Sequence, residues 1–298
     1  RQYQWKAMYQ QAQEYFEQHG DLLVPRTDEY SQLYTWVKAQ RRKYKSEDGL
    51  SQEEIPKEQL HELKKFKWVD LTHGFGSETP RWPGFEPLKR EIKLDFDKYP
   101  VKAYTYTFPG QYGTHVDVPS HADVNGRTLE DIELKECIMP LCVINCVEKV
   151  KSNSDYALGI QDILDYERKY GIIPAGAFVA MRSDWHKRWP NQKLFENFDT
   201  NGEAHYPGWS IEAVEFLINE RKIGSIGHET FDTDPPANKE QRPFKAECLL
   251  LKSDKFQIEM LANLDQVTES EGIIICMFAK QIGGTGFPAR CFAICPER

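Results

Sequence analysis

The chain has 298 residues, 40% of them hydrophobic and 28% charged, which suits one large globular domain or two unequal ones. Its formal net charge of -8 repels phosphate backbones and anionic bilayers, which argues against a general nucleic-acid or membrane-surface binder. No apolar run reaches the roughly 18 residues of a membrane span, so no transmembrane helix is expected.

The opening "RQYQWKAMYQQAQ" lacks the basic, apolar and small-residue order of a signal peptide, so none is expected there. Trp5, Met8, Ala12 and Tyr15 recur at three- and four-residue steps and predict a helix that stops at Gly20. Leu33, Trp36, Val37 and Tyr44 mark a second helix. A third fits "SQEEIPKEQLHELKKF", with Ser51 as N-cap and Glu54 completing a capping box. Residues 1–68 thus read as a small three-helix domain. Arg41, Arg42, Lys43 and Lys45 offer phosphate contacts, but the segment's 12 Lys+Arg against 11 Asp+Glu fit a solvated basic face better.

Residues 69–298 have the texture of a layered α/β domain. "LCVINCVEKV", "GAFVAMRSD", "IGSIGHET", "FQIEMLAN" and "GIIICMFA" read as buried strands. Between them "IQDILDYERKYG" and "SIEAVEFLINERKI" have helical period, the latter with Ser210 as N-cap. The acidic surplus lies here, 35 Asp+Glu against 26 Lys+Arg. The seven cysteines form no CxxC pair and sit mostly in or beside apolar runs, which predicts reduced, buried thiols and a cytoplasmic protein.

The chemistry concentrates in "GQYGTHVDVPSHAD", Gly110 to Asp123. In an extended segment alternate side chains share a face, so Gln111, His115 and Asp117 converge, with Gly113 adding no side chain between them. An imidazole, a carboxylate and an amide oxygen suit one divalent ion of borderline hardness, Zn2+ or Mn2+, and leave positions open for water and substrate. Pro119 ends the strand, and His121 beyond it is placed to act as acid and base. Taken singly, such residues are usually solvated loop groups; the unit GTHxDxPxH is much less easily accidental.

That unit resembles the cyclase family of metal-dependent hydrolases, which includes kynurenine formamidases and isatin hydrolases. The family pattern His-x-Gly-Thr-His-x-Asp-x-Pro-x-His is met from Gly113 through His121. "VDLTHGFGSETPRWPGF", "YPGWSIEAVEFLINERKIGSIGHETFDTD", "IEMLANLDQV" and "GGTGFPARCFAI" are similar to further family segments, so the resemblance covers residues 69–298. It implies a swivelling β/β/α type of fold, a resident metal, and a family glutamate at Glu259, which would orient His121 or the attacking water. Two positions depart from the pattern. Gln111 replaces the family's first His, which shifts preference towards Mn2+. Glu247 stands where two-zinc formamidases carry His, which points to a single-metal enzyme. Separately, Trp5, "HGDLLVP", "LYTWVKAQRRKYK" and "LKKFKW" resemble the helicase-associated domain family.

The sequence therefore predicts a metal-dependent hydrolase of a small amide, lactam or lactone, arylformamidase-like, behind an accessory helical domain. Gln111, His115 and Asp117 would bind the metal, with His121 and Glu259 catalytic. Trp82, Phe85, Trp185, Tyr206 and Trp209 would wall a pocket for a flat substrate, with Glu247 and His228 as supporting groups. A homo-oligomer, dimer or tetramer, is expected, and nucleic-acid or membrane partners are not. The competing readings are a dehydratase or cyclase in which no water attacks, and a non-catalytic small-molecule binder with a decayed site.

Overall fold

The computed structural model describes residues 2–19, 24, 27, 29–45, 63–237 and 243–297. It divides into two compact units, Arg1–Lys65 and Phe66–Arg298. In the first, helices Gln2–His19 and Ser31–Lys45 match the periodicity in the sequence. Ala12, Tyr15, Val24, Leu33 and Val37 form its small core. Residues 51–62 of the third expected helix lie outside the described residues.

The second unit is built on strands β1 (Lys67–Asp70), β2 (Lys89–Leu94), β3 (Ala103–Thr107), β4 (His115–Asp117), β5 (Ile138–Asn145), β6 (Ala157–Leu158), β7 (Phe178–Arg182), β8 (Gly208–Trp209), β9 (Ser225–His228), β10 (Phe256–Glu259), β11 (Gly272–Phe278) and β12 (Gly286–Cys295). Eight of them form one sheet in the order β1-β12-β11-β5-β7-β9-β10-β4, and β12 also pairs with β4, so the sheet closes into a barrel-like ring. Strands β5, β7, β9 and β10 run parallel. Parallel neighbours need crossovers, and the helices Ile160–Tyr170, Ile211–Arg221 and Lys245–Lys252 lie between them in the chain. The helix at 211 starts at the expected cap, where Ser210 Oγ accepts from Ala213 N at 3.1 Å.

The continuous apolar runs follow from burial on both faces. Along β7, Phe178 and Ala180 enter a core lined by Leu141, Val143, Val116 and Ile258, whereas Val179 and Met181 join Cys142, Ile144, Ile163 and Leu217 in the core beneath the helices. All seven cysteines carry free thiols, six of them buried and Cys248 partly exposed. Among the described residues no helix is long and apolar enough to cross a membrane.

Glu229, directly after β9, is wholly buried and pins the turn that follows β7. Its Oε2 accepts from Ser183 N at 2.8 Å, Ser183 Oγ at 2.7 Å and Trp185 N at 3.1 Å, and its Oε1 lies 2.6 Å from His186 Nδ1. Burial works to lower the His186 pKa, but Glu229 and then Asp265 and Asp184 outweigh it and hold it above the ordinary value.

Candidate metal centre

Strands β4 and β10 pair antiparallel, with His115 opposite Glu259 and Asp117 opposite Gln257. Val116, Phe256 and Ile258 point to the apolar core. The alternate residues His115, Asp117, Gln257 and Glu259 therefore share the other face. His115 Nε2 stands 3.5 Å from Asp117 Oδ2 and 3.4 Å from Glu259 Oε2. His115 Nδ1 donates to Gly113 O at 2.8 Å, which leaves Nε2 to face the carboxylates. Gly113 has φ +64°, a left-handed conformation natural to glycine, and a Cβ there would come 3.2 Å from Phe75.

The ligand atoms of His115, Asp117 and Glu259 lie within 4.8 Å of one another, and all three residues are buried. Asp117 Oδ1 is buried without a hydrogen-bond partner among the described residues. An orphaned carboxylate oxygen is costly, and a cation placed between these donors would satisfy it. The mixed nitrogen and oxygen set thus fits a divalent metal ion. Burial opposes the charge on His115, but Asp117 and then Glu259 raise its pKa well above the ordinary value. Burial likewise works to raise Asp117, but His115, with His121 and Gln257, lowers it to about 2. The cluster is held by Gln257, whose Nε2 donates to Asp117 Oδ2 at 3.3 Å and Glu259 Oε1 at 3.0 Å. Thr233 Oγ1 fixes the other end of that amide at 2.6 Å.

A cavity of about 330 Å³ opens over this face, lined by Trp82, Phe85, Gln111, His121, Phe231, Asp232, Phe244, Glu247 and Cys248 around the buried His115, Asp117 and Glu259 and Met260. His121 closes the short turn Pro119–His121, its N bonding Val118 O at 2.8 Å. Gln111 Nε2 lies 3.3 Å from His121 Nδ1, and His121 Nε2 lies 3.6 Å from Glu247 Oε1. Glu247 is set in the first turn of the helix Lys245–Lys252 by Asp234, whose carboxylate accepts from Ala246 N at 2.9 Å and Glu247 N at 3.1 Å. His228 is buried, with Nε2 3.4 Å from Glu259 Oε1.

The structure brings together Gln111, His115, Asp117, His121, Glu247 and Glu259, with Trp82 and Phe85 on the same cavity. It differs from the sequence expectation in several roles. Glu259, expected to orient His121 or the attacking water, stands beside His115 and His228, and Glu247 is the carboxylate facing His121. Gln111 lies over Gly286 with Asp117: a Cβ at Gly286 would come 2.4 Å from Gln111 Nε2 and 2.8 Å from Asp117 Oδ1. Trp185 and Trp209 are in the core beneath the helices, away from the cavity. Trp185 Nε1 donates to Phe195 O at 3.0 Å there. Tyr206 lines a neighbouring cavity and donates its hydroxyl to Asp232. Sequence reasoning missed Gln257, Phe231, Asp232 and Phe244. For Gln257 the signal was present, because the alternation in "FQIE" puts it on the face of Glu259.

A second acid-histidine group, Asp184, His186 and Glu229, has ligand atoms equally close together. Its carboxylates are already served: Glu229 by the turn donors described above, and Asp184 by Arg182 at 2.8 Å and Lys187 at 2.7 Å. This group is a structural ion-pair network.

The Cyclase family model matches residues 69–235, and the chain belongs to that family. The Helicase associated domain model matches residues 2–69. The chain is 32% identical to an isatin hydrolase of Roseibium aggregatum over 243 residues, 77% of this chain and 92% of that protein. It superposes on isatin hydrolase A from Labrenzia aggregata, bound to benzyl benzoate, with a TM-score of 0.75 at 30% identity, covering 81% of this chain and 100% of the other. A kynurenine formamidase of Bacillus thuringiensis is 26% identical over a shorter stretch of 84 residues, 28% of this chain and 40% of that protein.

Proposed function

We propose that residues 69–298 form a metal-dependent hydrolase that opens a small amide, lactam or lactone with water. The observation that carries this reading is the buried His115–Asp117–Glu259 cluster, with its unsatisfied Asp117 oxygen, at the floor of a cavity that also holds His121. The family membership and the isatin hydrolase relatives support the same reaction class.

His115 and Asp117 would hold one divalent ion, with Gln111 or Glu259 completing the set, and Mn2+ is favoured over Zn2+ because oxygen donors predominate. Such an ion supplies Lewis acidity to a carbonyl oxygen and makes water acidic near neutral pH. His121 takes the proton of the attacking water as its oxygen bonds to the carbonyl carbon. The same imidazole returns that proton to the leaving nitrogen as the C–N bond breaks, giving a carboxylic acid and an amine. Gln111 lies against His121 Nδ1 and positions the ring over the cavity, with the Glu247 carboxylate facing Nε2 at 3.6 Å. Trp82 and Phe85, with ring centroids 5.5 Å apart, give an apolar wall for a flat substrate.

The test is turnover of isatin, formanilide and an aryl lactone by Mn2+-loaded protein in heavy-oxygen water. Ring or amide opening with one solvent oxygen in the product acid is expected. Product formed without solvent oxygen would replace hydrolysis with dehydration or cyclisation.

A further inference from the structure

Trp82, Phe231 and Phe244 wall the first cavity and also a second one of about 340 Å³ that adjoins it. Each cavity alone is at the small end of ligand pockets, which run from about 300 to 1,000 Å³. The second continues past the shared wall to Pro83, Phe198 and Ala204. Its carboxylates are already engaged, Asp232 by the Tyr206 hydroxyl and Glu196 by Gln192 Nε2 at 2.5 Å, and Glu203 is partnered too. Among the described residues no Lys or Arg lines either cavity. What the second cavity offers a ligand is therefore aromatic surface.

Three of these rings remain open to solvent, Trp82 at 42%, Phe198 at 47% and Phe244 at 37% exposure. Single exposed aromatics are ordinary, but three around one cavity make the kind of apolar patch that marks a binding groove. Two of the three are set in place by particular features of the backbone. Phe244 has φ 51° and ψ 42°, a left-handed conformation that a bulky residue enters only at a cost. Strain of this kind gathers at ligand clamps. Trp82 lies folded over Gly84, where a Cβ would overlap the indole ring. Gly84 is outside the left-handed region, so what it supplies is room for the indole.

We propose that the two cavities form one elongated site, in which the second holds a distal, uncharged aromatic ring of the substrate. The substrate class is then an amide, lactam or lactone with two ring groups joined end to end. Its carbonyl lies at His115 and His121, and its far ring lies against Phe198. This deepens the hydrolase reading and rests on it for which end reacts. Trp82 and Phe244, which line both cavities, determine the specificity, and Gly84 is a positioning residue for Trp82. A far ring covers aromatic surface that is otherwise wet, and it meets the protein rings face to face or edge-on. An anionic far group would meet Glu196, Glu203 and Asp232 with no Lys or Arg among the lining residues to pair with.

Calorimetry on the full chain loaded with Mn2+ tests this with aniline and para-benzylaniline, which are neutral at about pH 7.5 and carry no bond to hydrolyse. The two-ring probe should bind at least about tenfold tighter, as expected for burying most of one further ring. It should also compete with aniline, because one molecule spans both cavities. In Phe198→Ala, which alters only the second cavity, and in Gly84→Ala, which displaces the indole, the ratio should fall to about threefold or less. Thermal melts confirm that both variants are folded. A ratio near one in the wild type, the wild-type ratio kept in both variants, or simultaneous binding of the two probes would overturn the proposal. Turnover of formanilide and para-benzylformanilide on the same samples adds a kinetic signature. The far ring should lower KM about tenfold and leave kcat nearly unchanged, since it is bound equally before and in the transition state. Two-ring binding that the variants weaken, without turnover of either amide, would sink the hydrolase reading and leave the subsite standing. Turnover of both amides with equal KM would sink the subsite and leave the hydrolase reading standing.

Discussion

His115 and Glu259 are partners across the antiparallel strands β4 and β10, and the imidazole Nε2 lies 3.4 Å from the carboxylate Oε2. The candidate metal centre is therefore a product of strand register. A slip of β4 by one residue would turn His115 and Asp117 into the apolar core and bring Val116 out. The register is protected because that core is packed on its other side by Phe178, Leu261 and Cys291.

Gln257 should matter although it has no place in the motif. Gln257→Leu removes the amide that holds Asp117 and Glu259 at 3.3 and 3.0 Å. Loss of such an orienting group typically costs about 10–100-fold in metal affinity. A metal-buffered titration that gives the same affinity for both proteins would refute this role.

Gly286 is opposite Asp117 on β12, and an added Cβ would come 2.7 Å from Val116 O besides its clashes with Gln111 and Asp117. Gly286→Ala should lower stability by about 1–3 kcal/mol through overpacking and weaken metal binding in the same protein. Urea unfolding of the metal-free proteins, together with metal titration, checks both parts; an unchanged midpoint and affinity would contradict the crowding.

His121→Asn should lower kcat by about 10²–10⁴-fold, the usual range for a lost acid-base group, with metal content intact. Steady-state kinetics and metal analysis on one preparation decide it. A loss of metal instead would make His121 a ligand.

The His186–Glu229 pair gives a pH dependence with a definite sign. Because the folded pKa of His186 is raised above 6.5, its contribution to stability is complete below that value. It is lost as pH rises through the folded pKa. At about pH 6, Glu229→Ala should cost about 3–5 kcal/mol, as expected when one partner of a buried pair is removed. Thermal melts should show the gap between wild type and variant narrowing as pH rises from about 6 to about 9. A gap that widens over that range would contradict the pairing.

His115 and Asp117 were legible from alternation alone, whereas Glu259 entered through the family resemblance. In "GTHVDVP" and "FQIE" one face is apolar and the other carries the chemistry, and short strands preserve that order. The parallel strands and their helices were readable for the same reason, since doubly buried strands appear as unbroken apolar runs. What could not be read was which loops reach the cavity. Trp185 and Trp209 look no different in sequence from Trp82, yet the first two fill the core and the third is 42% exposed on the cavity rim. Hydrophobicity reports burial without saying against what. Asp232 and Phe244 line the cavity, and Asp234 anchors the start of the helix Lys245–Lys252 beside them. The β2–β3 hairpin was likewise invisible, because "KREIKL" carries charges on most of its positions and is exposed along nearly its whole length.

The most direct test is the metal content of the protein purified without chelator, beside a His115→Ala, Asp117→Ala double variant. About one Mn2+ or Zn2+ per chain, lost in the variant, is the predicted result. No metal in the wild type even after soaking with either ion, or equal content in both proteins, would contradict a metal centre on β4 and β10.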